Sequence, residues 1–374
     1  MRQRVVGLSL FLAALASFFI FTAALHADWK SDWEKVIAAA KKEGQLNLYV
    51  GRYGQAPLLE EFRKEFPEIK IVSVNGTGDQ LATRIAAEVR GGKTIADIYS
   101  GGPNSIQNAL YRGKMLDSIK SAFILPEILD ESKWYGGKHV FIDREGQFIF
   151  LYVALPGSRG LSFNANLVNP KEFKSYWDLT LPKWKGKITS QRVTETGLSA
   201  HLQFYYYHPD LGPEFIKRAF GAMDITFGDR RTITDWLAVG KYAICHGCRQ
   251  VDKAQSQGLA VDDFDTGDWK EGQQLSTGGG SIGLIKGGPN PNAARVFINW
   301  FLSRKGQTAM QKSNDLYGEN PPNSRRIDIP KDMLPSENRL IDGRKYLDVS
   351  NPEFSDMAPV LKLAREIMRA RDQK

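Results

Sequence analysis

Cysteine is nearly absent from this chain: Cys245 and Cys248 are its only two, set in the stretch CHGC. That excludes a small disulfide-stapled scaffold, and 374 residues can bury sizeable cores without staples. The CxxC spacing leaves a thiol oxidoreductase, a local disulfide and two packed thiols as readings. A thioredoxin-like site puts this motif at the start of a helix after the first strands of a compact domain. Here it ends a predicted strand late in the chain, and Arg249 stands where a haem-attachment motif needs histidine. Histidine is also scarce, with five residues and no HExxH or other paired spacing, which argues against a zinc enzyme. GxSxG, GxxxxGK[ST] and GxGxxG are missing, so no hydrolase nucleophile, phosphate loop or dinucleotide fingerprint is visible. There is no repeat, no low-complexity segment and no block of one charge. The formal net charge of +8 comes from Lys and Arg interleaved with Asp and Glu, as in EEFRKEFPEIK, which favours solubility and attraction to anions over nucleic-acid binding. The nearest thing to a basic aromatic patch, Lys171–Lys187, is broken by Asp178, Pro182 and Gly186 and reads as surface.

Only one long hydrophobic run occurs, from Val5 to about Leu25, preceded by Arg2 and Arg4. Residues 1–27 read as a signal peptide cleaved after Ala24 or Ala27. The run approaches spanning length, but Asp28, Trp29 and Lys30 follow at once and no second span appears. No cysteine follows it for lipid attachment, and Arg2 and Arg4 are not a twin-arginine pair. The expected location is the periplasm.

What is present is alternation. Ser31 to Glu34 form a capping-box pattern ahead of a helix with Trp33, Val36, Ile37 and Ala40 on one face, ended by Gly44. In Gln45–Pro67, Leu46, Leu48 and Val50 recur at strand spacing, Gly51 and Gly54 bracket Arg52 and Tyr53, and Leu58, Leu59, Phe62 and Phe66 recur at helical spacing. The unit repeats twice: a strand at 69–74, the turn NGTGDQ and a helix carrying Leu81, Ile85 and Val89; then a strand at 95–100, the turn GGPNS and a helix over 106–111. Strands alternating with helices imply a parallel sheet whose turns GRYG, NGTG and SGGPN open on one edge, where ligands bind in open α/β sheets. Tight βα connections would also account for the glycines.

Residues 127–160 read as a crossover containing the apolar strand FIFLYV at 148–153. A second alternation spans 161–278, with strands at 187–190 and 242–245, the turn RVTETG at 192–197, and helices carrying Leu198, Leu202 and Tyr206, then over 213–220, 232–239 and from Val251. SIGLIK at 281–286 reads as a strand returning to the first lobe and PNAARVFINWFLS as a helix with Pro291 in its first turn. The expected organisation is lobe one from 28–126 with the return at 279–335, lobe two at 161–278, and a helical tail at 336–374 assigned to neither. Converging turns would place Arg52, Tyr53, Thr77, Gly101, Gly102, Asn104, Thr196 and Arg249 around one ligand.

WEKVIAAAKKEGQLNLYV, LSFNANLVNP with SYWDLTLPKWKGKI, and PNAARVFINWFLSRKGQ together resemble periplasmic solute-binding proteins of ABC importers, and the nearest branch is similar to the ferric-iron-binding type. The resemblance covers nearly the whole mature chain in order. It implies a type II periplasmic-binding fold: two α/β lobes, each a mixed, mainly parallel sheet flanked by helices, with the ligand cleft between them. It also implies a monomeric, non-enzymatic protein without cofactor that hands its solute to ABC permease subunits. The ferric branch binds metal through consecutive tyrosines in a second-lobe loop that matches Gly247, Cys248 and Arg249 here by order of elements. Those tyrosines are missing, and Tyr205, Tyr206 and Tyr207 fall on a different helix. Arginines suit a carboxylate, phosphonate or phosphate, because the guanidinium fork grips two oxygens at once. Capture of such an anion is the leading reading. Ferric iron or an iron chelate is the alternative, and a sensor or a CxxC oxidoreductase the lesser ones.

Overall fold

The computed structural model describes residues 29–157, 161–192, 199–226, 230–248, 250–316 and 321–373. The signal-peptide reading at 1–27 lies outside them. None of the described helices is long and apolar enough to cross a membrane. The chain divides into two compact units, residues 1–153 with 279–333 and residues 154–278 with 334–374. The segment expected as a separate crossover, 127–160, is divided between them, because Phe150 and Leu151 pair with the returning strand of the first unit.

In the first unit the strand Gln45–Val50 is flanked in parallel by Lys70–Asn75 and Ile98–Gly101. Ser281–Ile285 then pairs antiparallel with Ile98–Gly101, Leu116–Asp117 and Phe150–Leu151. The alternation in the first strand sorts its side chains as a period of two must: Tyr49 joins the core under the helix Gly78–Arg90 with Leu81, Ile85 and Ile106, which leaves Leu46, Leu48 and Val50 for the opposite face. Helices Ala56–Glu65 and Pro291–Leu302 meet through Phe62, whose ring centroid lies 5.2 Å from those of both Phe297 and Trp300.

Three local expectations change. The first helix is already running at residue 29, so Ser31 lies inside it and caps nothing. The run at 148–153 keeps only a two-residue strand, Phe150–Leu151; Tyr152 instead donates its N–H to Gly280 and Val153 bridges to Ser324, although the run is buried from Ile149 onward. The third helix splits into a turn at Pro103–Ser105 and a π-helix at Ile106–Tyr111.

The second unit holds a sheet in the order Val261–Asp263, Leu161–Asn164, Ile244–His246, Ile188–Gln191, Asp224–Thr226. Its last three strands run parallel and the other pairings are antiparallel. One core packs Phe204, Phe215 and Phe220 with Val360 and Ile367 of the helix Ala358–Asp372, so the tail belongs to this unit. A smaller core holds Ile233 and Leu237 with Val251 and Val261. A further three-stranded sheet of Leu155–Gly157, Gln273–Ser276 and Tyr346–Asp348 was not anticipated; it joins chain segments too distant in sequence for any local pattern to reveal.

Buried polar groups tie the first unit together. Asp97 accepts the backbone N–H groups of Asn47 and Asn290, both at 2.7 Å. Arg326, wholly buried, grips Asp328 through two bonds of 2.9 and 2.7 Å. Lys331 donates to the Ser324 carbonyl at 2.8 Å, and burial lowers its ammonium from the ordinary 10.5 to about 7. An unfolded lysine keeps its proton up to 10.5 while this one has released it above about 7, so the cost of charging it in the fold fades as pH rises through that window. We predict that stability to denaturant rises between about pH 7 and 10.5, by on the order of a few kcal/mol from this group, and that Lys331→Met removes that component of the rise. An identical slope in the variant would refute the assignment.

Candidate functional site

The first unit brings its three glycine turns together at the carboxyl ends of its parallel strands. Gly51 donates its N–H to Ser100 at 2.8 Å. A Cβ on Gly51 would stand 3.4 Å from the Gly101 Cα and 3.8 Å from the Gly76 carbonyl, so all three turns touch at this glycine. Because Ser281–Ile285 runs antiparallel, its leading glycines reach the same edge, and a Cβ on Gly279 would meet Arg52 at 3.3 Å and Tyr53 at 3.7 Å. Arg52 is exposed and lies over the buried Tyr53 ring, 5.8 Å from its centroid.

Thr77 caps the helix Gly78–Arg90. Its hydroxyl accepts the Gln80 N–H while the Gln80 side chain accepts the Thr77 N–H at 3.1 Å. Gly78 and Asp79 open the helix, and first-turn amides have no partner within their own helix. Asp79 places a carboxylate in that first turn, where it suits the helix dipole and accepts the Ser105 hydroxyl at 2.5 Å. Gly101 is buried in the strand and its carbonyl accepts the Ser281 hydroxyl at 2.7 Å; Gly102 and Asn104 follow, with Asn104 exposed. Six of the eight expected site residues thus share one edge of one unit. Thr196 and Arg249 lie outside the described residues. Tyr99, Asp79 and Ser105 belong to the same edge and went unread; Gly279 reaches it as well. The available signal was a tyrosine two places before Gly101, which strand periodicity explains as core.

In the second unit the parallel strands end at Gln191, Thr226 and His246. Cys245 and Cys248 form a disulfide around Gly247, whose φ of +95° suits glycine and whose absent Cβ would stand 3.2 Å from the Gln191 side chain. Both sulfur-bearing residues are buried in the smaller core. Of the three states open to CHGC, the structure has the local disulfide. His246 points into the other core, where its Nε2 meets the Tyr205 hydroxyl at 2.9 Å. Burial, then His201, lowers the His246 pKa well below its ordinary value. Its Nδ1 and the Gln191 Oε1 are buried with no hydrogen-bond partner among the described residues. The consecutive tyrosines are packing residues: Tyr205 is buried against Tyr176 and Phe215, burial raises its phenol pKa, and Tyr206 and Tyr207 are partly buried on the same core. Among the described residues no group of three or more His, Cys, Asp or Glu side chains could hold a metal ion.

Residues 58–331 match the family described as bacterial extracellular solute-binding protein, and the chain belongs to that family. It is accordingly the solute-binding component of an ABC transporter and not an enzyme. Solved structures agree on the fold. The Trichodesmium protein IdiA (FutA), in complex with iron and citrate ligands, is 19% identical with a TM-score of 0.64, covering 87% of this chain and 99% of its own. A Bordetella ferric binding protein is 18% identical with a TM-score of 0.63 over 87% and 99%. The periplasmic binding protein AfuA of Actinobacillus pleuropneumoniae, with fructose-6-phosphate bound, is 16% identical with a TM-score of 0.57 over 87% and 98%. The architecture is that of type II periplasmic binding proteins.

The disulfide makes a direct test possible. Closing so short a loop contributes about 2 kcal/mol by the chain-entropy relation. Replacing Cys245 and Cys248 together by alanine should lower the unfolding free energy by about that amount, and thiol labelling of the unreduced protein in denaturant should mark neither residue. Labelled thiols in freshly purified protein would show that the bridge is not the resting state.

Proposed function

We propose that this protein captures a small anionic solute, a carboxylate, phosphonate or phosphate, and passes it to ABC permease subunits from the periplasm, as a monomer freed of residues 1–27. The observation that carries the reading is Arg52: an exposed guanidinium on a glycine turn where three strand-to-helix turns and the glycines before Ser281 meet. Asp79 already answers the dipole of the helix Gly78–Arg90, so the charge of an anion falls to arginine, and the first N–H groups of that helix serve as hydrogen-bond donors only. Tyr53, Thr77, Gly101, Gly102 and Asn104 shape the remainder of this edge; Thr196 and Arg249, which the sequence adds to the solute's ligands, lie outside the described residues.

A second reading has a specific support. A structurally similar protein is recorded with iron and citrate, and a ferric chelate brings its own carboxylates, so anion recognition would hold it without protein metal ligands. Calorimetry with citrate, ferric citrate, a sugar phosphate and an alkyl phosphonate separates the two. One charged hydrogen bond contributes about 1.5–3 kcal/mol, so Arg52→Ala and Arg249→Ala should each weaken binding roughly ten- to a hundredfold, and Arg52→Lys should restore part of the loss. Ferric citrate bound with citrate ignored would favour the chelate. Variants that bind every anion as the wild type does would sink the arginine assignment.

A further inference from the structure

The glycines of the second and third turns share one neighbour in the space where their side chains would be. Tyr99 lies on the strand Ile98–Gly101 and is wholly buried. A Cβ on Gly101 would stand 2.7 Å from its hydroxyl, and one on Gly78 would stand 2.9 Å from it. The hydroxyl donates between two carbonyls, that of Gly78 at 3.4 Å and that of Gly102 at 3.3 Å. These carbonyls open the helix Gly78–Arg90 and the segment that begins at Pro103. Ser105 lies beside the phenol, its Oγ also 2.9 Å from a Gly78 Cβ, and bonds across to Asp79. Two chain segments separated by more than one secondary-structure element therefore meet on a single hydroxyl. Burial raises the phenol's pKa above its ordinary 10, so it remains a donor at neutral pH.

We propose that Tyr99 is the positioning residue of the solute-binding edge in the first unit: its hydroxyl holds both segment starts in one arrangement, and Gly78 and Gly101 lack side chains to make room for it. The proposal rests on the reading that this edge binds the solute. Backbone donors favour binding only if they are held in place beforehand, because ordering them on binding costs conformational entropy. A purely packing role would need only the ring, which fills the core beside Leu81, Ile85 and Ile106, and phenylalanine would fill it equally well.

Tyr99→Phe keeps that ring and deletes the donor. Hydrogen exchange of the amides at 78–80 and 102–106 in the unliganded full chain is measured together with thermal unfolding and with calorimetry against citrate, ferric citrate and a sugar phosphate. Exchange at both starts should rise together several-fold, exchange in Gln45–Val50 should not change, and affinity for whichever probe the wild type binds should fall about three- to tenfold. Gly78→Ala, which crowds the hydroxyl, should open the same two starts with Tyr99 intact. Unchanged exchange at both starts in either variant overturns the proposal, as does raised exchange with wild-type affinity. A wild type that binds none of the probes overturns the underlying reading of the edge, and it does so whatever the exchange results are.

Discussion

The antiparallel pairing of Ser281–Ile285 with Ile98–Gly101 is the constraint on which the first unit depends. The strand arrives about 180 residues later in the chain than its partner, and its ladder satisfies the open side of Ile98–Gly101 that the parallel strands leave unpaired. Buried among strands on both sides, it carries Gly283 where a Cβ would stand 2.6 Å from the terminal methyl of Ile106 and would displace it. Its direction also delivers Gly279 against Arg52 and Tyr53. Asp97 fixes the same junction from below by accepting N–H groups from Asn47 and Asn290, which come from the two ends of the unit's sequence.

Electrostatics at the edge are divided between residues of opposite sign. Asp79 and the Thr77–Gln80 capping box satisfy much of the helix start at Gly78, whereas Arg52 stands on the neighbouring turn with its guanidinium over Tyr53. The glycines read as openings for a ligand have a second duty, since Gly78 and Gly101 are filled from behind by a phenol.

The second unit builds its corresponding turn by covalent means. Gly247 takes a left-handed φ, Gln250 takes another at +59°, and the Cys245–Cys248 bridge ties the strand to the first residues of the turn that follows it. Such conformations persist only where the surroundings determine them. That the bridge lies within a buried core marks it as structural.

Much of the architecture was legible in the chain itself. Period-two alternation in Gln45–Val50, the turn NGTGDQ ahead of the helix Gly78–Arg90, Pro291 at a helix start and the glycine punctuation are local, and local chemistry decides them. The convergence of Arg52, Tyr53, Thr77, Gly101, Gly102 and Asn104 followed from the same alternation, since parallel strands put successive turns on one edge. What no local pattern carried were contacts between distant segments: the sheet joining Leu155–Gly157 to Gln273–Ser276 and Tyr346–Asp348, the docking of Ala358–Asp372 on the second core, the state of the two cysteines, and the meeting of Gly78, Gly102 and Tyr99 on one hydroxyl. Sequence determined where strands, turns and helices begin, because those choices depend on neighbours a few residues away. Only the tertiary structure decided which of them touch, because burial and hydrogen-bond satisfaction are settled between segments that the chain itself keeps far apart.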